Sequence, residues 1–301
     1  MKLQGFLPSK IKINTHLKNN WVPILVFGIV WLVITIFIMT ITKLTLSHLP
    51  ITIAPAGQVD NEYKVLSDPI SDMLGTFIFG IVGILFFSIV TTTMIYHVIN
   101  KEMKTGEISL WMTAPLARRQ IILSKIVFVW IVDLIILTPS LVFILIWSSQ
   151  AIDAKQHFGF VILQAVMFIS FLFLLPIIFT VICVALVNYG RLSKFINAGI
   201  IVYMLATFVM IMLSSTKGQI TNPLSWMGNV KYIAIQSLNV NILNFYPLTL
   251  QNHYLIEGFR VAKINLSQLP WFISAFFINL ILCAGLVYLT IWNFNKKDLA
   301  L

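Results

Sequence analysis

The chain has 301 residues, of which 59% are hydrophobic and only 10% are charged, and its mean hydropathy is +0.94. Soluble globular domains carry about 25% charged residues, so this composition excludes an ordinary soluble domain and predicts an integral membrane protein. The formal net charge of +10 comes from basic residues dispersed in short segments beside apolar runs. That distribution is typical of membrane orientation and does not indicate a nucleic-acid partner.

Residues 1–20 mix apolar side chains with four lysines and contain no acid. This pattern predicts a short amphipathic helix in the headgroup region, where each lysine near an anionic leaflet contributes about 1 kcal/mol. An unstructured basic tail is the alternative, because Pro8 and the loose apolar spacing do not favour a helix strongly.

Six apolar runs follow, each long enough as a helix to cross a hydrocarbon core about 30 Å thick, which takes about 20 residues. Their continuous apolar character favours helices over the alternating strands of a β-barrel. We therefore predict an all-α membrane protein in which residues 1–301 form a single domain. The predicted spans are Trp21 to Leu46, Leu74 to His97, Ile121 to Trp147, Phe158 to Val187, Phe195 to Leu213 and Trp271 to Trp292.

An even number of spans places both chain ends on one side, and the basic residues of the loops indicate which side. If the ends are cytoplasmic, thirteen of the 20 lysines and arginines lie in the inner segments. The other seven are spread over longer outer segments: Lys43, Lys64, Lys155, Lys217, Lys231, Arg260 and Lys263. This asymmetry predicts cytoplasmic N- and C-termini in a multi-pass protein of the cell membrane, which we take to be a bacterial cytoplasmic membrane.

The segment 98–120, between the second and third spans, is much longer than the roughly 2 to 8 residues that usually connect packed helices. Its apolar residues share one side in helical register, which predicts a short amphipathic helix. Gly106 weakens that helix by about 1 kcal/mol relative to alanine, and Pro115 ends it. Trp111 is suited to a groove on another protein, but a helix lying on the membrane surface explains the pattern equally well.

Three basic residues stand where the third span begins: Arg118, Arg119 and Lys125. Their long apolar stems allow the charged groups to reach the headgroup region from inside the span. Anchoring at the membrane surface is therefore the ordinary expectation for all three.

The order of residues in this segment resembles the region after the second span in type-2 ABC-transporter permeases, the transmembrane subunits of ABC exporters. The shared pattern is an acid, a glycine, a Thr-Ala-Pro turn, an arginine and an Ile-Leu-x-Lys sequence, which here ends at Lys125. Six spans with cytoplasmic ends extend the likeness along essentially the whole chain. The resemblance implies a coupling helix that docks on a separate ABC ATPase subunit. It places these residues in or beside the contact: Glu102, Gly106, Glu107, Trp111, Pro115, Arg118 and Arg119.

The sequence contains no motif for chemistry of its own. A nucleotide loop would need Gly-Lys-Ser/Thr, and no Gly-Lys dipeptide occurs; nor do His-Glu-x-x-His, Gly-x-Ser-x-Gly or Cys-x-x-Cys. We therefore expect no catalytic residues, no metal site and no bound cofactor, with ATP and Mg²⁺ held by the partner ATPase. The chain is not expected to be an enzyme by itself.

Asp133 is the one acid well inside a predicted span, about 18 Å along the third helix at 1.5 Å per residue. A carboxylate at that depth is costly and indicates a function by default. It supports a second hypothesis, a secondary transporter that uses Asp133 as an ion or proton site. A purely structural hydrogen bond, for example to Asn279 or Thr180, is an equally good explanation.

The extracellular region 214–270 is predicted to be helical or re-entrant, although the stretch 238–242 also alternates like a strand. Its connection of over fifty residues departs from the permease pattern and leaves the substrate class open. The resemblance implies a subunit that works as a dimer, with a second copy or a related permease, in contact with membrane lipids. Such a subunit would export a hydrophobic or amphipathic peptide, drug or lipid-like molecule. A non-transporting immunity or scaffold protein is a third hypothesis.

Overall fold

The structure is a computed structural model that describes residues 8–48, 74–102, 117–149, 154–186, 189–215, 225–239, 248–251, 261–264 and 269–296. Within these residues, six helices are long and apolar enough to cross a membrane, which confirms the predicted number of spans. Their membrane-length portions are Trp21–Ile41, Phe77–Asn100, Arg118–Ser149, Val161–Ala185, Arg191–Ile211 and Phe272–Lys296. We refer to them as the first to sixth spans.

The helices themselves extend beyond some of these limits. The first span belongs to Trp21–His48, the fourth to Ala154–Ala185, the fifth to Gly190–Ser215 and the sixth to Leu269–Lys296. The second span combines an α-helix, Val82–Ile95, with π-helical ends at Leu74–Ile81 and Tyr96–Asn100. A π-helical turn inside an α-helix is rare and frequently marks a functional position.

The third and fourth spans form the centre of the bundle. The third span packs against the first, second, fourth and sixth, and the fourth span packs against the second, third, fifth and sixth. Aromatic rings join the first, second and fourth spans: Phe87 of the second span lies 5.2 Å from Trp31 and 5.7 Å from Phe168, measured between ring centroids. The first, fifth and sixth spans keep most of their residues exposed, so their outer faces are available to lipid or to a second subunit.

The second and fourth spans approach closely at Gly83. A Cβ atom at this position would collide with the carbonyl oxygen of Ile78 and would lie 2.9 Å from the Phe168 ring. The helix backbone is interrupted just before this point, at Gly80. Only glycine therefore fits at position 83 without movement of the second-span backbone at Ile78 and of the Phe168 ring.

A short N-terminal helix, Lys10–Asn19, precedes the first span and packs against the third span. It confirms the helical alternative for this part of residues 1–20. The face that packs carries Lys12 and His16, which are buried, whereas Ile11 is exposed. The helix therefore uses polar side chains to contact the protein and leaves an apolar residue outside.

The region between the fifth and sixth spans is only partly helical in the residues described. It contains two 3₁₀-helices, Ser225–Tyr232 and Ile235–Leu238, and two antiparallel strands, Leu248–Gln251 and Val261–Ile264. This strand pair was not predicted. The stretch 238–242, which alternates like a strand, coincides with neither strand, and its first residue is the last of the second 3₁₀-helix. Asn239 donates a hydrogen bond to the carbonyl oxygen of Phe79 at 2.6 Å, which ties this region to the start of the second span.

Candidate functional site

A buried ion pair joins the end of the second span to the third span. The ammonium group of Lys125 lies 2.6 Å from Oε2 of Glu102 and donates a second hydrogen bond, also 2.6 Å, to the carbonyl oxygen of Val98. The Lys125 side chain is only 1% exposed. Lys125 therefore points inward, and the expectation that it reaches out to the headgroups was wrong. The reason is that Glu102 and the Val98 carbonyl, both at the end of the second span, bind its ammonium group inside the protein.

The N-terminal helix adds two further titratable groups to this pair. Nδ1 of His16 lies 3.8 Å from Oε1 of Glu102, and the His16 ring is tilted against Phe128 with centroids 5.5 Å apart. Lys12 is buried one helical turn before His16. We call Lys12, His16, Glu102 and Lys125 the Glu102 cluster.

Burial changes the protonation of the two N-terminal members of the Glu102 cluster. It lowers the pKa of His16 from 6.5 to about 4, and the attraction of Glu102 only partly offsets this effect. Burial also lowers the pKa of Lys12 from 10.5 to about 8, with repulsion from Lys125 as the second cause. At neutral pH His16 is therefore uncharged, so its contact with Glu102 is a polar contact and not an ion pair.

The sequence positions these groups by simple helical spacing. Lys12 and His16 are four residues apart and so share one face of the N-terminal helix. That face is held on the third span by a hydrogen bond from the backbone nitrogen of Ser9 to the hydroxyl oxygen of Ser124, 2.7 Å long. Sequence reasoning missed this arrangement. The available signal in the sequence was that Lys12 and His16, both polar, fall on one face of a helix that contains no acid.

Of the predicted coupling residues, Glu102 is buried in the Glu102 cluster and Arg118 is exposed at the start of the third span. Nη1 of Arg118 lies 3.5 Å from the carbonyl oxygen of Asn295, near the end of the sixth span. Arg119 is half-buried beside it. The remaining predicted residues lie outside the described residues: Gly106, Glu107, Trp111 and Pro115. The predicted coupling helix itself therefore stays a prediction.

Asp133 is fully buried in the third span, as its position predicted. Its carboxylate accepts a hydrogen bond from the Thr91 hydroxyl, with 3.1 Å between Oγ1 and Oδ2. The suggested partners are not used, since Asn279 donates instead to the carbonyl oxygen of Leu238 and the Thr180 hydroxyl has no hydrogen bond among the described residues. Within the same residues, Oδ1 of Asp133 also has no hydrogen-bond partner.

A metal centre is not indicated in the part of the chain that the structure describes. No group of three or more histidine, cysteine, aspartate or glutamate side chains there comes close enough to hold an ion. Comparison with known proteins adds no family: no protein-family model, no curated protein and no solved structure matches this chain.

Proposed function

We propose that this chain is the transmembrane subunit of an ATP-driven ABC exporter. A separate ABC ATPase subunit would bind ATP and Mg²⁺, and its closure would be received by the segment 98–120. Two copies of the chain, or one copy with a related permease, would form the path for a hydrophobic or amphipathic peptide, drug or lipid-like molecule. The membrane would be a bacterial cytoplasmic membrane, with both chain ends and the ATPase on its inner side.

The observation that best supports this proposal is the buried ion pair of Glu102 and Lys125. Glu102 belongs to the proposed coupling segment 98–120, so the pair holds the start of this segment against the third span. Lys125 also holds the Val98 carbonyl of the second span. A displacement that reaches Glu102 would therefore act on the second and third spans together.

The other end of the segment is connected as well. Arg118 begins the third span and contacts the backbone near the end of the sixth span at Asn295. The N-terminal helix also contacts Glu102, through His16. Contacts thus join four helices near the proposed docking segment, which supports the proposal because a push on this segment would reach several helices at once.

A co-purification experiment tests the proposal. The chain is expressed with a candidate ABC ATPase, and ATPase recovery and stimulated ATP hydrolysis are measured for Trp111→Ala and for the matched control Trp226→Ala. Trp226 is 60% exposed in the outer region, so its loss should leave the partner bound. Loss of the ATPase with Trp111→Ala alone supports the proposal; equal retention with both variants contradicts it.

A second candidate is a secondary transporter, which is favoured because Oδ1 of the buried Asp133 has no hydrogen-bond partner among the described residues. The two candidates differ in their source of energy, which vesicles can separate. Accumulation of an amphipathic fluorescent dye in inverted vesicles is driven either by ATP or by an imposed pH gradient. ATP-driven accumulation that survives Asp133→Asn supports the ABC exporter, whereas gradient-driven accumulation that Asp133→Asn abolishes supports the secondary transporter.

A further inference from the structure

An apolar groove of about 560 Å³ lies between the third, fourth and sixth spans. Its two long walls are stripes that recur every third or fourth residue, from Val166 to Phe173 on the fourth span and from Phe276 to Cys283 on the sixth. Residues at that spacing share one face of a helix, and each stripe is about 10 Å long at 1.5 Å per residue. Trp130 of the third span lies beside Phe173, because its indole N–H donates a hydrogen bond of 2.9 Å to the Phe173 carbonyl oxygen.

The lining of the groove indicates the chemistry of its ligand. None of the described residues that line it is charged. The polar groups of Trp130 and Asn279 are used elsewhere, since the indole N–H binds the Phe173 carbonyl and the Asn279 amide nitrogen donates to the Leu238 carbonyl at 3.0 Å. A charged or strongly polar group in this groove would therefore lose its water and gain no partner, which is costly. The ligand that fits is a hydrocarbon.

The depth of the groove corresponds to one leaflet of a bilayer. The membrane-length portions of the fourth and sixth spans begin at Val161 and Phe272, so the groove extends from about 6 Å to about 18 Å beyond that boundary. One half of a hydrocarbon core of about 30 Å is about 15 Å thick. The two spans are separated by a single span and so cross the membrane in the same direction, with Val166 and Phe276 nearest the boundary. A chain whose headgroup lies at that boundary would extend along the groove to the middle of the bilayer.

The groove is accessible from the hydrocarbon phase. Val166, Phe276 and Leu280 are exposed along it, so a lipid can enter from the bilayer without passing through the bundle. The sixth span packs against the third and fourth spans, and side chains along an unfilled gap between them would lose dispersion contacts. A chain in the groove supplies these contacts and joins the sixth span, the least buried of the six, to the centre of the bundle.

We propose that this groove binds one acyl chain of a phospholipid from the leaflet in which the fourth and sixth spans begin. The chain lies lengthwise between the two stripes with its end near Trp130, and the headgroup stays outside the groove at the membrane boundary. The site selects the chain and not the headgroup, because no charged lining residue contacts a headgroup. It is formed by one copy of the protein and requires only that the protein crosses a membrane, so it stands or fails separately from the proposed exporter.

Native mass spectrometry of the full-length chain tests the site, because it counts both the bound lipids and the copies of the chain. As the collision energy rises, we expect one phospholipid per chain to remain after the others have been removed. Ser170→Phe should lose this lipid, since Ser170 is half-buried in the fourth-span wall and the new ring would fill the groove. Cys283→Phe should do the same from the sixth-span wall, and thermal unfolding shows whether each variant is folded. Ser274→Phe is the matched control, since Ser274 is exposed on the sixth span away from the groove and bonds only to Pro270 of its own helix.

The chemistry of the retained lipid is tested on the natural chain, with no substitution. Dioleoylphosphatidylglycerol and dioleoylphosphatidylcholine should be retained equally, whereas dihexanoylphosphatidylcholine should be lost because its chains are too short to extend along the groove. Selection by headgroup, retention of the short-chain lipid, or equal lipid retention in the two groove variants and Ser274→Phe would overturn the proposal. Loss of a dimer instead of a lipid in both groove variants would show that a second copy covers the groove, and would overturn it as well.

Discussion

Single residues decide how the N-terminal half of the membrane domain is held together. Glu102 is the one acid of the Glu102 cluster, and it faces two buried lysines, Lys12 and Lys125. Buried charges are expensive to remove from water, and their mutual attraction repays the cost only while both signs are present. The structural importance of Glu102 therefore lies in balancing charge and not in a single contact.

The first prediction follows from this balance. Glu102→Gln should destabilise the protein by about 3–5 kcal/mol, the cost typical of breaking a buried pair, because it leaves Lys12 and Lys125 to repel each other. Lys125→Met should cost less, since Lys12 remains near Glu102. Thermal unfolding in detergent gives the ranking, and the double variant should recover part of the loss. A larger loss for Lys125→Met than for Glu102→Gln would contradict this account.

The second prediction concerns the pH dependence of the N-terminal helix. The pKa of His16 is about 4 when this helix is packed and 6.5 in the exposed reference state. A lowered pKa means that packing of His16 is fully favourable above pH 6.5 and is progressively lost as the pH falls from 6.5 towards 4. Lys12 behaves in the same sense at higher pH, with a gain in stability as the pH rises from about 8 towards 10.5.

Hydrogen exchange of residues 10–19 measures this effect. At pH 5, protection of these amides should fall relative to pH 7.5 after correction for intrinsic exchange rates. His16→Phe keeps a ring beside Phe128 but cannot take up a proton, so its protection should no longer depend on pH in this range. Equal pH dependence in the variant and the natural protein would show that another group is responsible.

At the scale of helices and strands, hydropathy alone was sufficient to predict the six spans because crossing a bilayer requires a local property, about 20 consecutive apolar residues. The pairing of Glu102 with Lys125 could not be predicted, since it depends on how two spans align in three dimensions. The same limit applies to the N-terminal helix: the sequence pattern predicted a helix in the headgroup region, but it could not predict that Lys12 would be buried where this helix packs on the third span.

The close approach of the second and fourth spans leads to the third prediction. Gly83→Ala should destabilise the protein by about 1–3 kcal/mol, as overpacking of a core does, because the new methyl group meets the Ile78 carbonyl and the Phe168 ring. Gly28→Ala on the first span is the matched control, since a Cβ there has no neighbour within 4 Å. That change should be neutral or stabilising by up to about 1 kcal/mol. Comparable loss of thermal stability in both variants would contradict the packing argument.

At the scale of the whole molecule, the two ends of the bundle are built differently. One end carries the Glu102 cluster and the contact of Arg118 with Asn295. The other end is covered by the region before the sixth span, through the hydrogen bonds of Asn239 to Phe79 and of Asn279 to Leu238. A motor in the cytoplasm can act on the Glu102 cluster only if that end faces inward.

The fourth prediction is therefore the orientation of the chain, which the excess of basic residues in the inner segments supports. In a background with Cys183 and Cys283 replaced by alanine, Trp226→Cys should react with a membrane-impermeant maleimide added to intact cells. Lys18→Cys should react only after the cells are opened, because the N-terminal helix would lie on the inner side. Both engineered positions are exposed in the structure, so a lack of labelling would report the membrane and not burial. Labelling of Lys18→Cys in intact cells would place the Glu102 cluster outside, where no ATPase could reach it, and would exclude the coupling mechanism together with the proposed exporter.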